Sequence, residues 1–190
     1  MRFEDGGTMR LYRQTVEDFG LYAGLELTEE ELTRLKTAAG EMSAKMRAVR
    51  IISASSVSKN DLQQRLIHKG EDPAQAEQAV RWLSDMDLLD DRKTAEQVVQ
   101  RCIGKGYGLA RAKQALYEKR IPKQYWDEVL EDYPDQTDSI RSFLSTRLER
   151  SRDPREVRRA IDALIRKGHC YGDIRRVLDD FSLDEGFPEE

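Results

Sequence analysis

Three stretches of this chain run through the same order of residues about fifty positions apart, and that internal repeat constrains the fold more than any other feature. Take Gly70, Arg120 and Gly168 as anchors. Four residues before each stands a leucine: Leu66, Leu116 and Leu164. Three before come Ile67, Tyr117 and Ile165, and eight before come Leu62, Ala112 and Ala160. Ten after come Val80, Leu130 and Leu178. The anchors are 50 and 48 residues apart. A period in this range marks a supersecondary unit that buries little apolar surface alone and must share core with its neighbours. The chain is therefore expected to be all-α, with three tandem three-helix units in an elongated or curved array.

Helix signals fill each unit. Thr28 followed by Glu29, Glu30 and Glu31 is a capping box with acids at the positive end of the helix dipole. Leu32, Leu35, Met42, Met46, Val49 and Ile52 then follow one stripe, with a break expected at Gly40. Ser58 caps the next helix, which ends at Lys69-Gly70. Asp72-Pro73 opens the third, because a proline in the first turn loses no hydrogen bond. In the second pass, Ala95, Val98, Val99, Cys102 and Ile103 fall at i, i+3, i+4, i+7 and i+8. A helix ending at Lys119-Arg120 follows, and Pro122 starts another that buries Trp126, Val129 and Leu130. The third pass begins near Asp135, with Asp153-Pro154 starting its second helix. The expected divisions are a leader over 1–28, units over 29–89, 90–134 and 135–183, and an acidic tail over 184–190. The leader carries Leu11, Val16, Phe19 and Leu21 among glycines without helical spacing, and could form one or two short strands or a β-hairpin.

Composition then excludes several classes. No apolar run approaches the ~20 residues of a membrane helix, so no membrane partner is expected. No signal segment is visible at the N-terminus, which leads to an expected cytoplasmic location. Two cysteines, Cys102 and Cys170, cannot build a disulfide framework. Cys102 lies on an apolar stripe, as an inert core thiol would. No His, Cys and carboxylate grouping has metal-ligand spacing, so neither a metal nor another cofactor is expected. His68 and His169 each neighbour a Lys-Gly helix end in the first and third units, where a cationic side chain suits the negative end of the dipole. No nucleophile–base or acid–base pair exists at workable spacing, which disfavours an enzyme.

Asp90-Asp91 resembles a carboxylate pair, but adjacent residues at a helix start do not face each other, and capping between two units explains them. Gly104-Lys105-Gly106-Tyr107-Gly108 lacks the following Lys-Ser/Thr and the preceding strand of a nucleotide cradle. It reads as a flexible corner between helices, and one that exposes Lys105 and Tyr107 to a phosphate or a protein groove. Charge is unevenly spread. Residues 1–44 hold 5 basic and 9 acidic side chains, and residues 45–91 hold 7 and 8. Residues 92–134 hold 9 and 6, and residues 135–183 hold 11 and 9. Arg147, Arg150, Arg152, Arg155, Arg158 and Arg159 crowd one stretch of the third unit. The spread gives the second and third units a basic surface beside an acidic first one.

Leu88-Leu89-Asp90-Asp91, thirteen residues, then Lys105-Gly106-Tyr107-Gly108, Ala110-Arg111, Leu116, Lys119 and Ile121 together resemble the RecX family, bacterial modulators of the RecA recombinase. The likeness covers roughly residues 45–180. Two positions depart from it: Thr94 stands where the family usually has an aromatic, and Arg120 where it usually has glycine. The second places a β-carbon at an expected left-handed helix cap, at a cost of about 1 kcal/mol. The resemblance implies a non-enzymatic, monomeric protein that docks along the RecA filament on single-stranded DNA. It would block filament extension and damp recombinase, ATPase and co-protease activities, in DNA repair, recombination and SOS control. The loop region is supported directly by the resemblance. Charge and expected exposure add the other contact candidates, giving Arg101, Lys105, Tyr107, Arg111 and Lys113, with Arg155, Arg158 and Arg159. Asp90, Asp91, Gly106, Gly108 and Leu116 are the structural positions of the motif. The rival readings are a helical DNA-binding protein that acts without RecA, and a protein–protein scaffold.

Overall fold

A computed structural model describes residues 1–4, 6–148 and 153–184, with side chains to Asp180. Arg150 and Arg152 lie outside the described residues, as does the tail beyond Asp184. The described residues are helical without a named strand: α1 (Arg13–Asp18), α2 (Glu29–Ala54), α3 (Lys59–His68), α4 (Pro73–Asp85), α5 (Asp91–Gly104), α6 (Leu109–Glu118), α7 (Trp126–Leu130), α8 (Thr137–Leu148), α9 (Pro154–Arg166) and α10 (Tyr171–Asp184). The chain divides into two compact bodies, Met1–Asp90 and Asp91–Glu190.

In the first body, the Thr28 hydroxyl accepts from Glu31 N–H while the Glu31 carboxylate accepts from Thr28 N–H, completing the capping box of α2. The helix passes through Gly40 without the expected break. The end of the Gln75 side chain from α4 lies over it, 2.6 Å at Cδ from where a β-carbon would stand, so the glycine leaves room for that amide rather than making a bend. Ser58 and Asp72 cap α3 and α4 through their side chains. Ala44, Ala48, Leu62, Leu66, Ala76, Ala79 and Leu83 share one fully buried cluster. The alanine-rich facing surfaces let α2 and α4 pack closely. In the leader, one antiparallel bridge joins Arg2 and Thr8, and α1 follows it. Helix α1 has no apolar period to announce it. Instead Arg13 and Gln14 reach Glu17 and Asp18 four residues on, at 2.7 and 2.8 Å.

The second body holds two clusters. Ala95, Val98, Val99, Leu116 and Ile121 form one, ringed by Trp126, Val129 and Leu130. Ile140, Leu144, Ala160, Leu164, Ile174 and Val177 form the other. The segment after Pro122 is not one regular helix: a 3₁₀ turn over Lys123–Tyr125 precedes α7. The turn brings Trp126 Nε1 to the Ile121 carbonyl at 3.1 Å, satisfying a donor that would otherwise be buried unpaired.

The anchors share one local geometry. Gly70, Arg120 and Gly168 have φ of 89°, 53° and 88°. The N–H of the next residue (Glu71, Ile121, His169) bonds the carbonyl of Leu66, Leu116 or Leu164 at 3.0–3.1 Å. The anchor's own N–H bonds the carbonyl three residues back at 2.8–2.9 Å. This is the Schellman helix stop, in which the leucine at its base is buried. It accounts for the repeated leucine-to-anchor spacing. The residues three before the anchor diverge: Ile67 packs on the core, while Tyr117 and Ile165 face solvent. With each leucine pointing inward, its neighbour is turned about 100° away.

Candidate functional site

The motif loop is built on the same helix stop. Gly106, at φ 61°, ends α5, with Tyr107 N–H on the Cys102 carbonyl at 3.0 Å. The loop then docks on the corner between α9 and α10. Gly108 N–H donates to Lys167 O at 2.9 Å, and Ala110 N–H donates to Gly168 O at 3.2 Å. Both glycines are sterically required. A β-carbon on Gly108 would come within 2.5 Å of His169 N, and one on Gly168 within 2.6 Å of Arg111 Cβ.

Two side chains hold the loop's carbonyls. His169 Nε2 donates to Gly106 O at 3.1 Å, and Tyr133 Oη donates to Tyr107 O at 2.6 Å. A carbonyl only accepts, so the His169 proton sits on Nε2. Burial holds the His169 pKa below its ordinary value despite the Gly106 bond, so the ring is neutral near pH 7. This corrects its reading as a cationic helix cap. Burial also pushes Tyr133 up to about 12, keeping it a donor. The loop is thus a fixed corner rather than the flexible one expected, because every polar backbone group named here has a partner.

On this frame stand the cations. Arg101 and Lys105 are exposed, with no carboxylate partner among the described residues. The Lys105 ammonium lies 5.9 Å from the Tyr107 ring centroid, within reach of a cation–π contact. Arg111 is engaged: its guanidinium pairs with Glu118 at 3.1 Å, where Gln114 also donates. Those two hydrogen bonds, Gln114's the larger, hold Glu118 below the usual carboxylate range. Burial raises the Cys102 thiol, opposed in order by Arg111, Lys105 and Arg101. Lys113 is exposed two residues on, about 200° around α6 from Arg111.

Arg155, Arg158 and Arg159 do not join them. They sit at the start of α9, roughly 12–18 Å along the axis from the docked corner at ~1.5 Å per residue. There they share an exposed face with Asp162 and Arg166, opposite buried Ala160 and Leu164. Arg159 is paired with Glu156 at 2.5 Å. Asp91 is buried as the first residue of α5, directly after Asp90, and both have polar partners. Among the described residues no group of three or more His, Cys, Asp or Glu could hold a metal ion. No helix among them is long and apolar enough to cross a membrane. The sequence did not mark Tyr133 or the bridging role of His169, since both contacts span 26 or more residues and leave no local pattern.

No family model matches the chain. Curated relatives do. Regulatory protein RecX of Vibrio campbellii is 26% identical over 146 residues, covering 75% of this chain and 94% of that protein. Regulatory protein RecX of Clostridioides difficile is 25% identical over 181 residues, covering 92% and 85%. Among solved structures, a crystal structure of regulatory protein RecX superposes with a TM-score of 0.66 at 20% identity, covering 89% of this chain and 86% of that one. RecX from Lactobacillus salivarius gives 0.64 at 19% identity, covering 77% and 99%. The motif loop, the helix stops, the relatives spanning most of the chain and the shared all-α fold point one way: the chain is similar, in sequence and in fold, to regulatory proteins of the RecX family.

Proposed function

We propose that the protein regulates the RecA recombinase by binding RecA and its filament on single-stranded DNA. It blocks filament extension and lowers strand exchange, ATP hydrolysis and co-protease activity, as a cytoplasmic monomer acting in recombination, repair and SOS control. In this reading it is a binding protein rather than an enzyme, and its three helical units engage successive surfaces of the filament.

The observation that carries the proposal is the docked loop. Arg101, Lys105 and Tyr107 project from a backbone fixed at both ends, so little conformational freedom is lost on binding. Arg111 and Lys113 add charge from two different faces of α6, and Arg155, Arg158 and Arg159 supply a further cationic face on α9. Each contact to a single-stranded phosphate contributes about −0.7 to the log–log salt slope, so four or five give only roughly −3 to −3.5. The RecA surface then supplies most of the affinity, with several units engaged at once through effective concentration. The test is RecA ATP hydrolysis on single-stranded DNA with increasing amounts of this protein. Hydrolysis falls as the protein is added; an unchanged rate at several-fold excess over RecA contradicts the proposal.

A further inference from the structure

The first body carries a cationic cleft that the segment charge balance conceals. Its walls bring together Arg47 and Arg50 of α2, Ser55 after it, Arg65 and Lys69 at the end of α3, and Tyr12 before α1, around a volume of about 410 Å³. No acidic side chain lines it. Residues 45–91 hold 7 basic and 8 acidic side chains, yet four of those seven cations line this one cleft.

The cations fall into two kinds. Arg47 and Arg65 are anchored from behind. Arg47 Nε meets the buried Glu71 carboxylate at 2.6 Å, and its Nη1 donates to Lys69 O at 3.3 Å. Arg65 grips the buried Asp61 through Nη2 and Nε, at 2.9 and 3.1 Å. A guanidinium has five N–H donors, so each arginine keeps three for a ligand while its plane is held fixed. Arg50 and Lys69 are exposed and have no carboxylate partner among the described residues. Four cations against two carboxylates leave the cleft positive, and two pre-aimed forks favour an oxyanion with several acceptor oxygens. Tyr12 adds aromatic surface at the same place. Cations beside an aromatic, in a concavity of small-molecule size, are what a phosphodiester with an unstacked base requires. A duplex offers no such base.

We propose that this cleft is a binding site for single-stranded polynucleotide, taking a backbone phosphate on Arg50 and Lys69, steadied by Arg47 and Arg65, with a base against Tyr12. The site belongs to the isolated chain and needs no filament. It is separate from the loop face proposed above, and its test contains no RecA, so either reading can fail alone.

The test uses the full chain and a fluorescein-labelled 25-mer of oligo(dT), read by anisotropy across a salt series. Arg50→Glu with Lys69→Glu weakens binding tenfold or more and makes the log–log salt slope shallower by about 1.4, two contacts at ~0.7 each. Tyr12→Ala weakens binding several-fold without changing that slope. Circular dichroism of both variants matches wild type, since Arg50 and Lys69 are exposed and Arg47 and Arg65 stay in place. The proposal is overturned if wild type does not bind the oligonucleotide, or if the double reversal binds it as wild type does. It is also overturned if a duplex of equal length binds as tightly as the single strand, or if thymidine monophosphate competes as well per phosphate as the polymer.

Discussion

Gly70 and Gly168 end their helices with the same hydrogen bonds and φ values one degree apart, yet they sit in opposite surroundings. A β-carbon on Gly70 would meet nothing within 4 Å. One on Gly168 would drive into the backbone and Cβ of Arg111 at the head of α6. Between them in the chain, Arg120 holds the same helix stop with a side chain already present, at φ 53°. One local solution thus serves two purposes. In the first body it only turns the chain. In the second it also lets the motif loop lie against a neighbouring corner, which fixes Lys105 and Tyr107. The glycine that lets the loop dock is distinguished by what approaches it, not by its own dihedral angle.

Substitutions can break or sharpen this comparison. Leu116, buried completely at the base of the middle stop, should give the largest effect: Leu116→Ala is expected to cost roughly 2–5 kcal/mol in urea unfolding. A cost below about 1 kcal/mol would mean the helix stop does not depend on its buried leucine. Gly168→Ala combines left-handed strain with overpacking, and about 2–4 kcal/mol is expected. Gly70→Ala carries the strain alone, so about 1 kcal/mol is expected from the same measurement. Equal costs at the two glycines would remove the distinction between a free corner and a docked one. Arg120→Gly relieves strain and should stabilise by a few tenths to about 1 kcal/mol; clear destabilisation would count against a strained arginine.

The docked corner also has a pH signature. His169 has a depressed pKa in the folded state, so the unfolded chain binds the extra proton first as pH falls below about 6.5. The stability tied to its neutral form is present above that value and is lost as pH falls toward and through the folded pKa. Wild type should therefore lose more stability between about pH 6.5 and 5 than His169→Gln does. Parallel pH profiles would show that the Gly106–His169 bond does not couple the loop to this titration.

Much of the helical order was legible because its signals are local. Thr28, Ser58, Asp72-Pro73 and Asp153-Pro154 start helices within three residues of themselves. The leucine-to-anchor spacing is the helix stop written in sequence. What escaped was whatever depends on distant approach. Gly40 reads as a breaker until Gln75 is seen against it, and Gly108 reads as flexible until Gly168 is seen beneath it. Helix α1 rests on polar pairs at i,i+4, which an apolar-period search does not register. For the candidate site, the loop was found but its rigidity was not, because His169 and Tyr133 reach it across 63 and 26 residues. Counting charge by segment likewise hid the four cations that line one cleft beneath a near-neutral sum.

The central claim is that cations fixed on the docked loop form the face that acts on RecA. Its most direct test compares two double reversals in RecA ATP hydrolysis on single-stranded DNA. Arg101→Glu with Lys105→Glu is preferred to any change at Arg111, whose guanidinium is already held by Glu118. The control reverses Arg34 and Lys36, in the acidic N-terminal stretch and outside the cationic cleft. Both variants should fold as wild type by circular dichroism. The account predicts that the loop reversal raises the concentration needed for inhibition tenfold or more, while the control shifts it little. Equal behaviour of the two, at any salt concentration, would contradict it.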